Sequence, residues 1–429
     1  MTSIGRRDAL RAGAGLAAMA VTPGLGGLGA ALASGLQPGG PLTTEGSKDW
    51  VLSNMVNIRS YQPRSNRQMP RTEGFGFKSA AVVYPLVERS AASLLDLRGV
   101  KGRVELNDKE VTNTYTVLDG YHSGVKLARF DLTDLSANEM EMHIELPTRC
   151  FRTRFDEDAA GAIGWAKRWP EVAESTFAPQ MFINYDQRGE YDMKFVQRMV
   201  KEWTGGNPKQ QPPYILVKWL TGKVINLFQV SGEGLNFDRS GMIEGMDIEG
   251  AAVAAQRRRG SPFDMAALYV AVLREAGVPA RLVVGYDKGS DQDAERFLRR
   301  NEREPALHAW AEWYLRDDAS NRGWWIPADP VRARRKSSRL PNNFMDRPLP
   351  YLGAHDELDG LIPMAFHYHP PTTVRAYNSP GLWGWFSLDN PPDWAYQGLT
   401  FNATTRASRA GEQPFQQDDR RAPARRGRN

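Results

Sequence analysis

Short runs of alternating or β-branched residues dominate the chain between about residues 75 and 155. Gly, Asn and Asp separate the clearest of them, which lie at 80–84, 111–117, 125–130 and 140–146. A period of two is typical of strands with one buried and one exposed face. The pattern therefore predicts a small antiparallel domain, similar to a β-sandwich, ahead of the rest of the chain.

The hydrophobic period lengthens to that of a helix beyond residue 190. Phe195, Met199 and Trp203 recur at spacings of four, which predicts a helix in this segment. Similar reasoning predicts two further helices, over 215–228 and 261–276. Three strands are then predicted over 280–286, 308–315 and 324–328. The fold class expected is therefore α+β, with the antiparallel domain preceding a mixed core.

Composition divides the remaining segments. Residues 34–50 are rich in Gly, Pro, Thr and Ser, which predicts a linker. Residues 331–404 are rich in Pro and aromatic residues, so an extension wrapped around the core is expected there. The Arg-, Gln- and Gly-rich tail is expected to be disordered. The predicted order is a leader (1–33), a linker or N-terminal extension (34–74), a β-rich domain (75–160), a core domain (161–335), an aromatic extension (336–404) and a tail (405–429).

The first residues resemble an export leader. Arg6 and Arg7 precede a weakly hydrophobic Ala- and Gly-rich run, and Ala31 and Ala33 suit a signal-peptidase site. We interpret this as a twin-arginine signal cleaved after Ala33, since its Gly, Ala and Pro content would make a poor helix. A periplasmic or otherwise exported protein is expected. No other stretch reaches about 20 apolar residues, so no transmembrane span is predicted.

Charge and cysteine content narrow the function classes. The net charge is +5, but the leader contributes +2 and the tail +4, which leaves 34–404 at about −1. A basic tail on a nearly neutral body gives little support to nucleic-acid binding. Cys150 is the single cysteine, so an intrachain disulfide is impossible.

Three sequence blocks carry the most specific signal. Residues 260–286 read GSPFDMAALYVAVLREAGVPARLVVGY, residues 308–315 read HAWAEWYL, and residues 323–330 read GWWIPADP. These blocks resemble, in order and spacing, the transglutaminase-like family pattern of G-x-C-x-D-x-A-x-L, a helix, G-[IV]-P-A-R-x-V-x-G-Y, H-A-W-x-E-x-Y and G-W-x-x-x-D-P. The resemblance implies a papain-like core that needs no cofactor.

In that family a Cys–His–Asp triad performs acyl transfer, and the cysteine lies at the start of a helix, where the dipole and the imidazole favour the thiolate. The resemblance places the histidine at His308 and the aspartate at Asp329. The cysteine position falls on Pro262, which has no nucleophilic atom. The sequence therefore indicates a family member without cysteine chemistry.

Ser261 leaves an alternative open. As an N-cap it would precede Pro262 at the first helical position and Asp264 at the third, which is a well-formed helix start. As a nucleophile it would act with His308 and Asp329 in an amidase- or peptidase-type hydrolase or an acyltransferase.

Weaker candidates lie elsewhere. His367 and His369 would share one face of a strand and could hold a metal, although spacing fixes no third ligand; His355 lies upstream of them. Cys150 is expected to be a small buried residue, although flanking arginines could lower its pKa. Arg257 and its two neighbours form a basic run before the helix.

Three functional hypotheses follow. The first is a pseudoenzyme that binds a peptide, a glycan or a protein partner at the cell envelope. The second is the hydrolase or acyltransferase that uses Ser261. The third is an architectural protein that docks through its extension and tail.

Overall fold

The computed structural model describes residues 40–60, 75–119, 124–137, 139–186, 190, 192–232, 234–237, 242–288, 307–337, 339–368, 382–387 and 395–405. It is an α+β structure, as the sequence predicts. The leader at 1–33 and the tail beyond Thr405 lie outside the described residues. Within the described part, no helix is both long and apolar enough to cross a membrane.

Antiparallel pairing dominates the sheets. The strands before the core are β1 Leu42–Ser60, β2 Phe75–Val87, β3 Arg89–Ser90, β4 Ser93–Leu95, β5 Lys101–Leu106, β6 Lys109–Thr112, β7 Thr116–Asp119, β8 Val125–Ala137 and β9 Glu139–Phe155. The later strands are β10 Gln229–Val230, β11 Leu235–Phe237, β12 Ile243–Met246, β13 Arg259–Gly260, β14 Ala280–Asp287, β15 Leu307–Asp317, β16 Arg322–Ala328, β17 Leu361–Ala365, β18 Gly384–Ser387 and β19 Ala395–Thr405.

The helices lie mainly between β9 and β16. They are α1 Glu157–Gly161, α2 Glu171–Glu174, α3 Lys194–Thr204, α4 Pro213–Leu227, α5 Ala251–Arg257, α6 Pro262–Glu275 and α7 Pro330–Lys336. The helices predicted over 192–203, 215–228 and 261–276 correspond to α3, α4 and α6. The strands predicted over 280–286, 308–315 and 324–328 correspond to β14, β15 and β16.

A sandwich of two sheets forms one half of the structure. A nine-stranded sheet of order β11-β12-β19-β1-β9-β4-β3, with β5 and β6 attached through β9, faces a four-stranded sheet of order β18-β2-β8-β7. Val56, Phe130 and Met142 are fully buried between them. Gly102 is required at the contact, because a Cβ there would lie 2.6 Å from the Phe130 ring.

The prediction of a linker at 34–74 is wrong for β1, which is a central strand paired with both β9 and β19. Trp50, Leu52, Val56 and Ile58 alternate on its buried side. This period of two lies just beyond the Gly- and Pro-rich stretch whose composition suggested a linker.

The prediction that 336–404 is an aromatic extension wrapped around the core also needs correction, because this segment supplies strands to the sheets. β17 pairs with β14, β18 with β2 and β19 with β1, so the C-terminal segment completes three sheets. The proposed domains are therefore not contiguous in sequence. The strand predicted over 111–117 is instead split into β6 and β7, which lie in different sheets.

The core domain is a four-stranded sheet with α6 packed on it. The sheet order is β16-β15-β14-β17, and α6 also contacts α3, α4, α5 and α7. Every residue from Pro262 to Arg274 is buried. A helix that is buried all round needs tertiary contacts on every side, which explains its weak amphipathicity.

A buried ion pair fastens the sandwich to the core sheet. Arg281 Nη2 lies 2.6 Å from Glu312 Oε2, while Glu312 Oε1 accepts the N–H of Ala91 from the sandwich at 2.8 Å. The guanidinium lies between the rings of Trp325 and Phe366, 4.0 Å from each centroid. These contacts compensate for the desolvation of both charges.

Asn54 on β1 is buried at 2% exposure, and neither amide atom has a hydrogen-bond partner among the described residues. An unpaired buried amide costs about 1–3 kcal/mol. We expect Asn54→Val to raise the free energy of unfolding by a similar amount, measured by urea denaturation. Asn57→Val is the matched control: Asn57 Nδ2 donates to Glu141 Oε1 at 2.8 Å, so its loss should destabilise. Equal destabilisation by both changes would contradict the assignment of Asn54 as an unpaired buried amide.

Candidate functional site

The start of α6 is a complete capping box. Ser261 Oγ accepts the Asp264 N–H at 3.1 Å, and Asp264 Oδ2 accepts the Ser261 N–H at 2.9 Å. Pro262 occupies the first helical position, where its missing N–H costs nothing. Asp264 Oδ1 accepts the backbone N–H groups of Glu249 and Gly250 at 2.9 and 2.8 Å. The predicted helix start is confirmed.

The Ser261 hydroxyl has its hydrogen-bonding capacity directed to Asp264. It donates to Asp264 Oδ2 at 3.1 Å as well as accepting the Asp264 N–H. Among the described residues, no hydrogen bond joins Ser261 to His308. A nucleophilic serine needs a base within about 3.2 Å of its oxygen. This geometry favours capping.

His308 and Asp329 lie together at one end of the core sheet. His308 is in β15 opposite Gly285 of β14, and Asp329 directly follows β16. His308 Nε2 lies 2.6 Å from Asp329 Oδ2. Burial alone would raise the pKa of Asp329, but the charges and hydrogen bonds of His308 and His355 outweigh it and hold that pKa well below its usual range. Nε2 of His308 is therefore the donor, and the sequence had predicted both residues.

His355 is a second imidazole on the same carboxylate. Its Nε2 lies 3.5 Å from Asp329 Oδ2, and its Nδ1 is buried with no hydrogen-bond partner in the part of the chain that the structure describes. Burial lowers the pKa of His355, and together with the charges of Arg332 and His308 it outweighs the hydrogen bond and charge of Asp329, which act in the opposite direction. Thr153 of β9 holds its backbone through two hydrogen bonds. The sequence pointed to His355 only through a possible metal site.

Arg332 ties the segment around His355 to the core. It pairs with Asp287 at 2.7 Å, approaches Asp329 Oδ2 at 3.6 Å, and forms an ion pair with Glu357. Tyr351 donates its hydroxyl to Glu357 and accepts the Asp329 N–H on its carbonyl. Periodicity gave no signal for this network, because its members come from loops and element ends.

The C-terminal segment also covers the helix start. Tyr368 donates its hydroxyl to the carbonyl of Phe263 at 2.7 Å, and the two rings meet edge to face. Asp329 is 1% exposed and Ser261 5%, while His308 keeps 4%. The paired residues are thus almost completely buried.

The remaining candidates are Cys150, His367 and His369. Cys150 is fully buried in β9, and burial raises the pKa of its thiol, so the idea of a thiol activated by nearby arginines is not supported. His367 donates from Nε2 to the Leu382 carbonyl at 3.2 Å, and His369 lies outside the described residues.

One group among the described residues has side chains close enough to share a metal ion, namely Glu105, Glu141 and His143. Arg103 already lies 2.6 Å from Glu105 Oε1, and Asn57 donates to Glu141. These contacts give both carboxylates partners of their own, so the group has an explanation that needs no metal. The sequence gave no signal for it.

The sheet, the buried helix and the His308–Asp329 pair define a domain of the transglutaminase-like, papain-type class. Residues 222–330 match the model of the Transglutaminase-like superfamily. The match includes the helix start, β15 and Asp329, so this part of the chain is a transglutaminase-like domain. No curated protein matches the chain.

Similar solved structures share little sequence with the chain. A candidate cysteine protease from Cytophaga hutchinsonii is 12% identical, with 88% of this chain and 96% of that chain covered and a TM-score of 0.49. A candidate protease from Parabacteroides distasonis is 10% identical, with coverages of 75% and 49% and a TM-score of 0.23. The transglutaminase of red sea bream is 13% identical, with coverages of 56% and 47% and a TM-score of 0.27.

The cap can be tested by stability. Ser261→Ala removes the acceptor for the Asp264 N–H and should lower the free energy of unfolding by about 1 kcal/mol. Ser261→Thr retains a capping hydroxyl and should lower it less. Urea denaturation measures both variants, and unchanged stability in Ser261→Ala would contradict the capping role.

The buried imidazole predicts an acid-sensitive stability. Because the folded-state pKa of His355 lies below its usual value, the unfolded state gains the proton first, and stability should decline as the pH falls below about 6.5. Asp329 has a lowered folded pKa, so its contribution is lost only below about pH 4.

His355→Gln should therefore flatten the decline between about pH 6.5 and 5 and leave the decline below pH 4. Urea unfolding at a series of pH values reports the slope, and His143→Gln on β9 is the control. An unchanged slope in His355→Gln would show that this imidazole is not the acid-sensitive group.

Proposed function

We propose that this protein is an exported transglutaminase-like protein that lacks cysteine-dependent acyl transfer and binds a peptide, glycan or protein partner at the cell envelope. The observation that carries the proposal is the combination at the start of α6. Pro262 stands where the resemblance places the cysteine, and the Ser261 hydroxyl is engaged on both sides by Asp264.

The size of the rate loss expected without a nucleophile supports the absence of cysteine-dependent acyl transfer. Removing the nucleophile of a catalytic triad lowers the rate on the order of 10⁶-fold. The retained His308–Asp329 hydrogen bond gives no replacement nucleophile, since both groups are acid–base groups. Among the described residues, no contact favours the hydrolase that would use Ser261.

A retained site can still recognise a ligand. His308 is 4% exposed, and because its Nε2 donates to Asp329, the second nitrogen of the neutral ring can accept a hydrogen bond from a hydroxyl or an amide N–H. Its orientation is fixed by Asp329, so little rotational freedom is lost on binding. Peptides and glycans both offer such groups.

Restoring a thiol tests the mapping of the site. In a Cys150→Ala background, Pro262→Cys should give a thiol that iodoacetamide alkylates with an apparent pKa below the ordinary value of about 8.5. Adding His308→Gln should return the pKa to that value or above it. A thiol at 262 that is indifferent to His308 would mean that Pro262 is not the nucleophile position.

The same variant tests binding. Unmodified Pro262→Cys protein should sediment with purified peptidoglycan sacculi as the wild type does, and alkylation should abolish sedimentation because the adduct fills the site. Sedimentation that survives alkylation would refute binding of this polymer at the site. Wild-type turnover of peptide amides that Ser261→Ala abolishes would refute the loss of catalysis.

A further inference from the structure

Two distant arginine-rich segments meet on one side of the core domain. Gln229 donates its N–H to the carbonyl of Arg258 at 2.9 Å, and Gln229 also pairs with Arg259. Arg334 Nε donates to the carbonyl of Phe228 at 2.9 Å. Residues 228–229 therefore bring the end of α5 and the end of α7 together. We call the cations of these two segments the basic surface, made up of Arg258, Arg259, Arg334, Arg335, Lys336 and Arg339. Lys336 Nζ also lies 5.5 Å from the centroid of the Tyr351 ring.

The basic surface is exposed and lacks acidic partners. All of its members except the half-buried Arg334 are exposed. Within the part of the chain that the structure describes, none of them lies within ion-pair distance of an acidic residue. The neighbouring Arg257 differs, since it binds Glu249 at 2.5 Å. On a body whose net charge is about −1, this concentration of positive charge is local.

Helix electrostatics explain only part of the set. Arg334, Arg335 and Lys336 lie in the last turn of α7, where cations interact favourably with the helix dipole. Arg259 and Arg339 lie outside any helix. Arg258 caps α5 in the left-handed region, with a φ of 57°, where glycine or asparagine is the favoured residue. A long cation is thus kept at a position that disfavours it, which suggests a role for its side chain.

We propose that the basic surface docks the protein on an anionic phospholipid bilayer. A bilayer presents phosphate groups across a plane, so it can engage cations from two separate segments at once. Arginine forks match phosphate oxygens in bidentate geometry. Each Arg or Lys near such a surface strengthens binding by about fivefold at modest salt. A short peptide would contact fewer of these side chains together.

Docking of this kind is independent of the ligand at His308. It would nevertheless orient the site, because Arg259 precedes Ser261 by two residues and α7 follows Asp329 directly. The segments that build the site are therefore the ones that would contact the bilayer.

Vesicle sedimentation with the full chain tests the docking. The surface variant combines Arg258→Asn, Arg335→Gln, Lys336→Gln and Arg339→Gln. The control variant removes four exposed cations elsewhere, through Lys109→Gln, Arg168→Gln, Arg198→Gln and Lys201→Gln. Both variants have the same net charge and keep the arginines of the tail, so a difference between them reports the location of the charges.

We expect the wild type and the control variant to sediment with vesicles containing one third phosphatidylglycerol, but not with pure phosphatidylcholine, and added salt should release them. The surface variant should bind on the order of 10²-fold more weakly, with an unchanged thermal midpoint. His308→Gln should bind vesicles as the wild type does, which separates this test from that of the proposed function.

Equal binding by the surface and control variants would overturn the proposal, and so would equal binding of the wild type to neutral vesicles. If the wild type binds soluble inorganic polyphosphate through these residues but binds no vesicle, the ligand is a free phosphate polymer and the bilayer is excluded.

Discussion

The buried carboxylate of Asp329 joins four parts of the structure. One oxygen caps α7 by accepting the Arg332 N–H, and the other accepts from His308 at 2.6 Å and lies near His355 and the Arg332 guanidinium. A charge without exposure to water is tolerated only when its partners are in place, and removing one partner of such a group typically costs about 3–5 kcal/mol. The arrangement of β15, β16, α7 and the segment around His355 is therefore mutually dependent. The geometry of His308 and Asp329 is thus held by contacts within the chain.

The start of α6 uses its backbone N–H groups for stability and not for the activation of a nucleophile. A cysteine nucleophile at the first turn of a helix uses the unpaired N–H groups and the dipole to favour its thiolate. Here Ser261, Pro262 and Asp264 satisfy those same groups within the chain. Stability and reactivity compete for one set of donors, and the contacts of this helix favour stability.

The sequence predicted those elements that can be recognised from residues close together in the chain. The helix over 261–276 was recognisable because its cap and its sequence block lie within a few residues, and β14 to β16 carried short, continuous apolar runs. β1 was missed because the Gly- and Pro-rich composition ahead of it outweighed its own period of two, while the pairing of Trp50 with Thr405 leaves no trace in either segment alone. His355 was undervalued for a similar reason: its contact with Asp329 arises from a loop held by Thr153 and Arg332, whose positions follow no period.

The position of β19 has a consequence for when the protein can fold. In the nine-stranded sheet, β12 reaches β1 only through β19, whose residues are the last that the structure describes. The sheet therefore cannot close while the chain is still being synthesised up to residue 405. Pairing across this sequence separation is slow, since a long loop must be ordered before any contact forms. The edges of β1 and β12 stay open until then, so the nascent chain passes through a period in which it is vulnerable to aggregation.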